Sequence, residues 1–200
     1  RRIRIAAGKT QAIRPYLYSD ADADSKSALI NIIPMPAMLH HAPIWPEMPF
    51  HDQHLLRSAV HRMRRCLYAP STKQHQHHIS NVTITSHPTY REPTFTITRL
   101  RLSYFASLHH APPTLRAILH QIHLYNIQHL GRRNYKTVDY YFQISQDLQW
   151  LTNHAEAPKI PPGNLEAWHQ FASQHRRKWK QLLRDAEANA SKQFIHTPIL

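Results

Sequence analysis

Glycine is scarce in this chain of 200 residues, occurring only as Gly8, Gly131 and Gly163. Glycine gives the backbone positive φ and close approach at little steric cost. Its scarcity argues against a phosphate-cradling glycine loop and against a fold built on tight hairpins. Cysteine is scarcer still, with Cys66 alone. One thiol makes no intrachain disulfide and completes no cysteine-based zinc module, so a reducing intracellular compartment, nucleus or cytoplasm, is the expectation. No apolar run approaches about eighteen residues, so no membrane-crossing helix is expected, and no membrane partner is expected because the apolar helix faces are needed for tertiary packing. The opening RRIRIAAGKT lacks the apolar stretch of a secretory signal. It begins with Arg1 rather than Met, which reads as a fragment or processed piece.

Acidic residues are also few, 12 against 25 Lys and Arg, for a formal net charge of +13. Compacting so many like charges costs energy that a polyanionic partner relieves, and nucleic acid is the commonest such partner. Hydrophobic residues make up 42 %, enough for a core.

Apolar spacing predicts a mainly α chain with at most one or two short strands. A helix is expected up to Arg14, ended by Pro15. SDADADS (19–25) is a polar joint before the apolar run at 27–33. Five prolines in 34–49 allow only a short helix near Ala37–His41. From Asp52 to Tyr68, Leu55, Leu56, Ala59, Val60, Met63 and Leu67 recur at helical spacing between Arg57, His61, Arg62, Arg64 and Arg65. Residues 70–95 read as a polar linker, with a possible strand at NVTITS (81–86). A helix over 94–108 follows, with Thr96 a candidate N-cap. Another begins near Thr114, with Leu115, Ile118, Leu119, Ile122 and Ile127 on its buried side, and Gly131 at its end. Residues 137–152 form a further amphipathic helix. After PKIPPGN (158–164), one long helix is expected with Asn164 as N-cap and a seam of Leu165, Trp168, Ala172, His175, Trp179, Leu182 and Ala186.

No complete active site is visible. There is no GxSxG motif and no Walker loop. Asp20, Asp22 and Asp24 do not continue into a calcium loop, because Ser25 and Asn31 stand where a glycine and a bidentate glutamate are needed. Eighteen histidines include the clusters His75, His77, His78, then His109, His110, then His120, His123, without an HExxH pattern. They read best as polar surface. Cys66 lies on the apolar side of a helix, where a thiol is usually inert.

Three basic clusters remain: Arg57, His61, Arg62, Arg64 and Arg65; then Arg132, Arg133 and Lys136; then Arg176, Arg177, Lys178 and Lys180 around Trp179. Cations spaced in this way neutralise phosphates, and an aromatic among them can stack on an unpaired base. A solvated helix face with Trp179 in the core is the alternative for any one cluster.

Several stretches taken in order resemble one family. RRIRIAAGKTQAIRPYLYS, KSALINIIPMPAMLHHAPIW, LLRSAVHRMRRCLY and TRLRLSYFASLHHAPP are similar to the region after the catalytic palm of non-LTR (LINE-like) retrotransposon reverse transcriptases. The middle element resembles the family's "lP-x-LLYG-x-x-W" over Ile33–Trp45, and the third its "rRxLRxIL" helix. Arg99, Arg101, Leu102 and Tyr104 match "R-x-R-L-x-Y-L-G-H-L". The chain departs from the pattern at His40-His41, where Tyr-Gly is usual, and at Ala106, where glycine is usual. The resemblance implies a thumb-like helical region over 1–69, the linker at 70–95 and a helical connector over 96–200. It further implies a template–primer duplex (an RNA–DNA hybrid, or RNA) and an upstream polymerase palm as partners. The Mg-binding catalytic aspartates would lie in that palm, with no cofactor in this stretch. A structural RNA-binding protein, such as an organellar ribosomal subunit, is the second reading.

Overall fold

The computed structural model describes residues 2–44, 48–68, 79–128 and 140–196, and for 123, 126–128, 195 and 196 the backbone alone. Among these residues every regular element is helical and no strand occurs. The described residues divide into two units, one drawn from 1–41, 48–94 and 191–200 and the other from 42–47 and 95–190. This corrects the expected linker. Of 70–95, residues 79–94 belong to the first unit and bury Ile84, Tyr90 and Glu92. Residues 70–78 lie outside the described residues.

The first unit begins with α1 (Arg2–Ala12) and α2 (Arg14–Leu17), the latter carrying Pro15 in its first turn, where a missing N–H costs nothing. The joint SDADADS is a cap for α3 (Ala23–Ile32): Asp22 Oδ1 accepts from the Ser25 N–H at 2.8 Å and Oδ2 from the Ser25 hydroxyl at 2.6 Å. Those two bonds hold the Asp22 carboxyl below the usual carboxylate range. Pro34 opens α4 (Pro34–Met38). A little beyond it His41 takes φ of 65°, the left-handed region that a glycine fills without strain. The basic helix is α5 (Phe50–Arg64), prolonged by a 3-10 turn at Arg65–Leu67. NVTITS forms a helix, α6 (Asn81–Thr85), rather than a strand, because the Ser80 Oγ caps it by accepting from the Thr83 N–H at 3.1 Å. α1 and α3 each pack on α4 and α5, and α5 also packs on α6. Leu17, Ile30, Met38, Val60 and Ile84 are fully buried there.

The second unit takes its framework from α7 (Pro93–Ser107), α8 (Pro113–Gln128), α9 (Tyr140–His154), α10 (Leu165–Gln174) and α11 (Arg176–His196), except that residues 93–94 of α7 and 191–196 of α11 belong to the first unit. α7 starts at Pro93, a favoured first helical position, so Thr96 is a buried helical residue and not the cap. α8 exposes Ile118 and Ile122, contrary to the expected stripe, while Leu115 and Leu119 are half-buried. Ile127's side chain lies outside the described residues.

The long final helix is two. His175 leaves helical geometry at φ −116° and ψ 48°, and its side chain is exposed instead of in the seam. Trp168 and Phe171 before the break and Trp179 after it form one aromatic cluster, with centroids 6.1 to 6.5 Å apart. Packing of these rings overrides the local helical pattern. The core joins them to Leu102, Phe105, Ile144, Leu148 and Leu151.

A buried ion pair ties α7 to α9. Arg101 Nε lies 2.6 Å from Asp147 Oδ2 and its terminal nitrogen 2.7 Å from Oδ1, with both residues under 10 % exposed. A bidentate pair of this kind is costly to break from one side, since the remaining charge stays buried. Asp147→Ala is expected to lower the unfolding free energy by about 3–5 kcal/mol in urea denaturation, with the Arg101→Met/Asp147→Leu double variant recovering most of it. A loss below about 1 kcal/mol would show that water reaches the pair. At the other strained point, His41→Gly should stabilise the chain by roughly 0.5–1 kcal/mol, and His41→Val should destabilise it by about 1–2 kcal/mol. Equal stability of the three would show that the loop relaxes out of positive φ.

Candidate nucleic-acid interface

The face of α5 that enters the core is set by Leu56, Val60, Met63 and, in the 3-10 turn, Leu67. Leu55 is left 44 % exposed. Arg64 lies four residues after Val60 and is therefore on the buried side. It is 2 % exposed. Its guanidinium donates to Ser27 Oγ at 3.2 Å, Asn31 Oδ1 at 3.0 Å and the Thr89 carbonyl at 3.3 Å, and lies 5.6 Å from the Tyr90 ring centroid. Among the described residues no carboxylate pairs with it, and burial lowers its pKa. A phosphate cannot reach it without opening the unit.

Arg57 is likewise engaged. Its Nε and a terminal nitrogen each stand 3.0 Å from Glu92 Oε1, and the guanidinium lies 4.8 Å over Phe194. The Glu92 side chain has no exposed surface. Tyr90 Oη donates to Glu92 Oε2 at 2.8 Å, and Thr94 Oγ1 donates to Oε1 at 3.2 Å. Since the Tyr90 proton goes to Glu92, His61 Nε2 must donate to Tyr90 Oη across their 3.2 Å contact. Burial pushes the His61 pKa down, against a smaller upward pull from Glu92. Burial and the Glu92 carboxylate both push the Tyr90 phenol up. Arg65 is half-exposed and donates to the Ile79 carbonyl at 3.3 Å and to Asn81 Oδ1 at 2.8 Å.

The expectation that this helix turns its cations to a phosphate backbone is therefore corrected. Of the five predicted residues, Arg57, His61, Arg64 and Arg65 serve the unit's interior or its loops, and Arg62 alone is exposed. The spacing carried a signal for Arg64. The partners Glu92 and Tyr90 stand about thirty residues further along the chain and could not be read from the helix.

The second cluster, Arg132, Arg133 and Lys136, lies outside the described residues. The third is divided. Trp179 is 2 % exposed and belongs to the core, which removes it as a platform for an unpaired base. Arg176, Arg177, Lys178 and Lys180 are all exposed on the first two turns of α11, and Arg184, which sequence reasoning missed, continues the row. Arg176, Lys180 and Arg184 stand at four-residue intervals and share one face. That spacing was visible in the sequence. The first turn of α11 holds no acidic residue, so these cations crowd the positive end of the helix dipole. No protein-family model, curated protein or solved structure matches this chain.

Of the histidine clusters, His75, His77 and His78 and the side chain of His123 lie outside the described residues. His109 lies with its ring centroid 5.2 Å from that of His110 and 5.3 Å from that of His169. Among the described residues no group of three His, Cys, Asp or Glu could hold a metal ion. His169 Nε2 stands 3.1 Å from the Phe105 carbonyl, and burial lowers its pKa. Cys66 is buried. Among the described residues no helix is long and apolar enough to cross a membrane.

The lowered pKa of His61 has a thermodynamic consequence. An unfolded histidine titrates near 6.5, so below that pH the unfolded chain binds a proton that the folded His61 refuses. The contribution is fully present above about pH 6.5 and is lost as the pH falls through the folded-state value. Denaturation midpoints should drop between about pH 7 and pH 5, and His61→Gln should flatten part of that slope, the rest being owed to other groups such as His169. An identical slope in His61→Gln would show that His61 protonates freely in the fold.

Proposed function

We propose that this chain is a non-catalytic, nucleic-acid-holding part of a reverse transcriptase of the non-LTR type, and that it grips the phosphate backbone through α11, not through the basic helix α5. The observation that carries the reading is the exposed row Arg176, Arg177, Lys178, Lys180 and Arg184. Cations crowded at the positive end of a helix repel one another and the dipole, and a polyanion turns that cost into attraction. Contacts of this kind follow backbone geometry and carry little sequence information, as holding a template–primer duplex requires.

Two further observations bear on the family reading. The residue at which the family pattern has glycine is His41, whose φ of 65° is the geometry a glycine would serve. At the other departure, Ala106 lies inside α7 and packs against the core, where alanine suits a helix better than the family's glycine, so the support rests on His41 alone. The palm of the polymerase, with its Mg-binding aspartates, is the partner this reading assigns upstream.

Binding of the chain to an RNA–DNA hybrid, duplex DNA and single strands across a salt series tests the proposal. The duplexes are expected to bind more tightly, without base preference. Arg177→Gln, Lys178→Gln and Arg184→Gln combined should weaken binding and reduce the slope of log K against log salt by roughly one unit for each phosphate no longer neutralised. Arg62→Gln on α5 should leave the slope unchanged. An unaltered slope in the α11 variant, or an equal loss from Arg62→Gln, would overturn the assignment.

A further inference from the structure

We propose that a second copy of this chain covers the outer face of α8, the two helices packing antiparallel across a twofold axis. At 3.6 residues per turn, Thr114, Ile118, Gln121, Ile122 and Tyr125 fall within an arc of about 100°. All five are exposed, with Ile118 at 57 %, Ile122 at 40 % and Tyr125 at 42 %. Ile118, Ile122 and Tyr125 stand at the i, i+4, i+7 spacing of a helix-packing seam. Exposed apolar side chains that stand singly are ordinary, whereas a row of them along one helix marks a contact surface. The opposite side of α8 is turned inward: Arg116 and His120 line a recess of about 440 Å³ with Phe105, Tyr141 and His169.

Charge decides what fits. Arg116 is the one Lys, Arg, Asp or Glu of α8, and it lies on the inward side, so the outer face presents no charge. A nucleic-acid strand finds no cation there to neutralise its phosphates. An anionic membrane surface is held by Lys and Arg beside the apolar stripe, and this face has none. A second copy fits, because a chain with a net charge of +13 approaches its own like most easily where it is uncharged. The face is also self-complementary. A twofold axis level with His120 sets Ile118 against Ile122 of the partner subunit, twice over, and carries each Tyr125 ring to the first turn of the facing helix. With α8 about 24 Å long, such a pair buries on the order of 1,000 Å² in total, the lower limit for a specific interface. The dimer is therefore weak, with a dissociation constant of about 10–100 µM. It is independent of the nucleic-acid reading above.

Analytical ultracentrifugation of the full chain, freed of nucleic acid by nuclease and loaded from about 1 to 200 µM, provides the test. The mass should rise from one chain to two. Added salt should strengthen the association by screening the repulsion between the two cationic chains, the reverse of its effect on phosphate binding. Ile122→Glu should weaken association about tenfold or more without changing the far-ultraviolet circular dichroism, since the side chain is exposed. Ile32→Glu, at a 70 % exposed isoleucine of the first unit, should leave it intact. On oxidation, Ile118→Cys chains mixed with Ile122→Cys chains should cross-link more than either variant alone, and the buried Cys66 takes no part. A monomer at every concentration, a dimer that Ile122→Glu leaves intact, or one that salt dissociates overturns the proposal. So does a monomer that Ile122→Glu makes more sensitive to urea, which assigns the face to the chain itself. Sedimentation of the monomer with phosphatidylserine vesicles, lost in Ile122→Glu, assigns it to a lipid surface and overturns the second copy. Cross-linking no greater in the mixture than in the single variants overturns the antiparallel arrangement.

Discussion

The first unit depends on one buried carboxylate. With no exposed side-chain surface, the Glu92 carboxylate needs both a cation and hydrogen-bond donors, since an uncompensated buried charge is costly. Arg57 supplies the charge, and Tyr90 and Thr94 supply protons. Its own backbone N–H donates to Ser191 Oγ at 3.2 Å, which brings the far end of the chain into the same cluster. Each partner then makes a demand of its own. Tyr90, having given its proton away, needs a donor, and His61 provides it. Arg57 and His61 lie one turn apart on α5 and Arg64 lies one turn further, so a single helix edge serves Glu92, Tyr90 and the Thr89 carbonyl in succession. Such a cluster contributes less to stability than its contacts suggest, because taking the charges out of water consumes most of the gain. What it does set is register: a one-residue rotation of α5 would strand Arg64 without its acceptors on Ser27, Asn31 and Thr89 and Glu92 without its cation.

The second unit uses the same device more simply. Arg101 and Asp147 satisfy each other bidentately, and Arg99 pairs with Glu187 at 3.0 Å, so α7 is tied to α9 by one pair and to α11 by the other. Three of the twelve acidic residues are thus committed to internal arginines. In a chain so poor in acid, this leaves the exposed cations largely uncompensated.

The helices were legible wherever periodicity and stop signals agreed. Asn164 caps a helix where the sequence placed one, and the apolar residues of α5 give away its buried face, whereas Pro34, Pro93, Asp22 and Ser80 open or cap helices at points the sequence reading did not assign. Misreadings fell where distant partners decide. NVTITS has strand composition, but a serine cap and the burial of Ile84 make it helical. The pattern from 164 onward continues through His175, yet three aromatic rings pack together across that residue and the helix breaks there. The stripe on α8 was misplaced: Ile118 and Ile122 stay exposed, while Leu115 and Leu119 are half-buried. For the candidate site the lesson is sharper. Arginine on an amphipathic helix reads as surface by default, since charged residues are rarely fully buried. Arg64 escapes that default through neutral acceptors, and Arg57 through an acid thirty-five residues away in the sequence.

The division of charge decides what +13 can mean. Only cations free to displace counterions contribute to the salt dependence of nucleic-acid binding. Arg57, Arg64 and Arg101 are withdrawn from that pool by internal contacts, so a count taken from the sequence overstates the cations open to a polyanion. The basic helix α5 is largely a strut, and under the proposed function the weight shifts to α11. Trp179 shows why the two roles sit side by side there. Its ring anchors the start of α11 in the aromatic cluster, and that anchoring fixes the direction in which its neighbours on either side, Lys178 and Lys180, leave the surface. A rigid aromatic beneath a row of flexible cations lowers the entropy lost when those cations meet a phosphate, because the backbone carrying them is already ordered. Within the six residues RRKWKQ, Trp179 therefore enters the core of the second unit while Arg176, Arg177, Lys178 and Lys180 stand exposed around it.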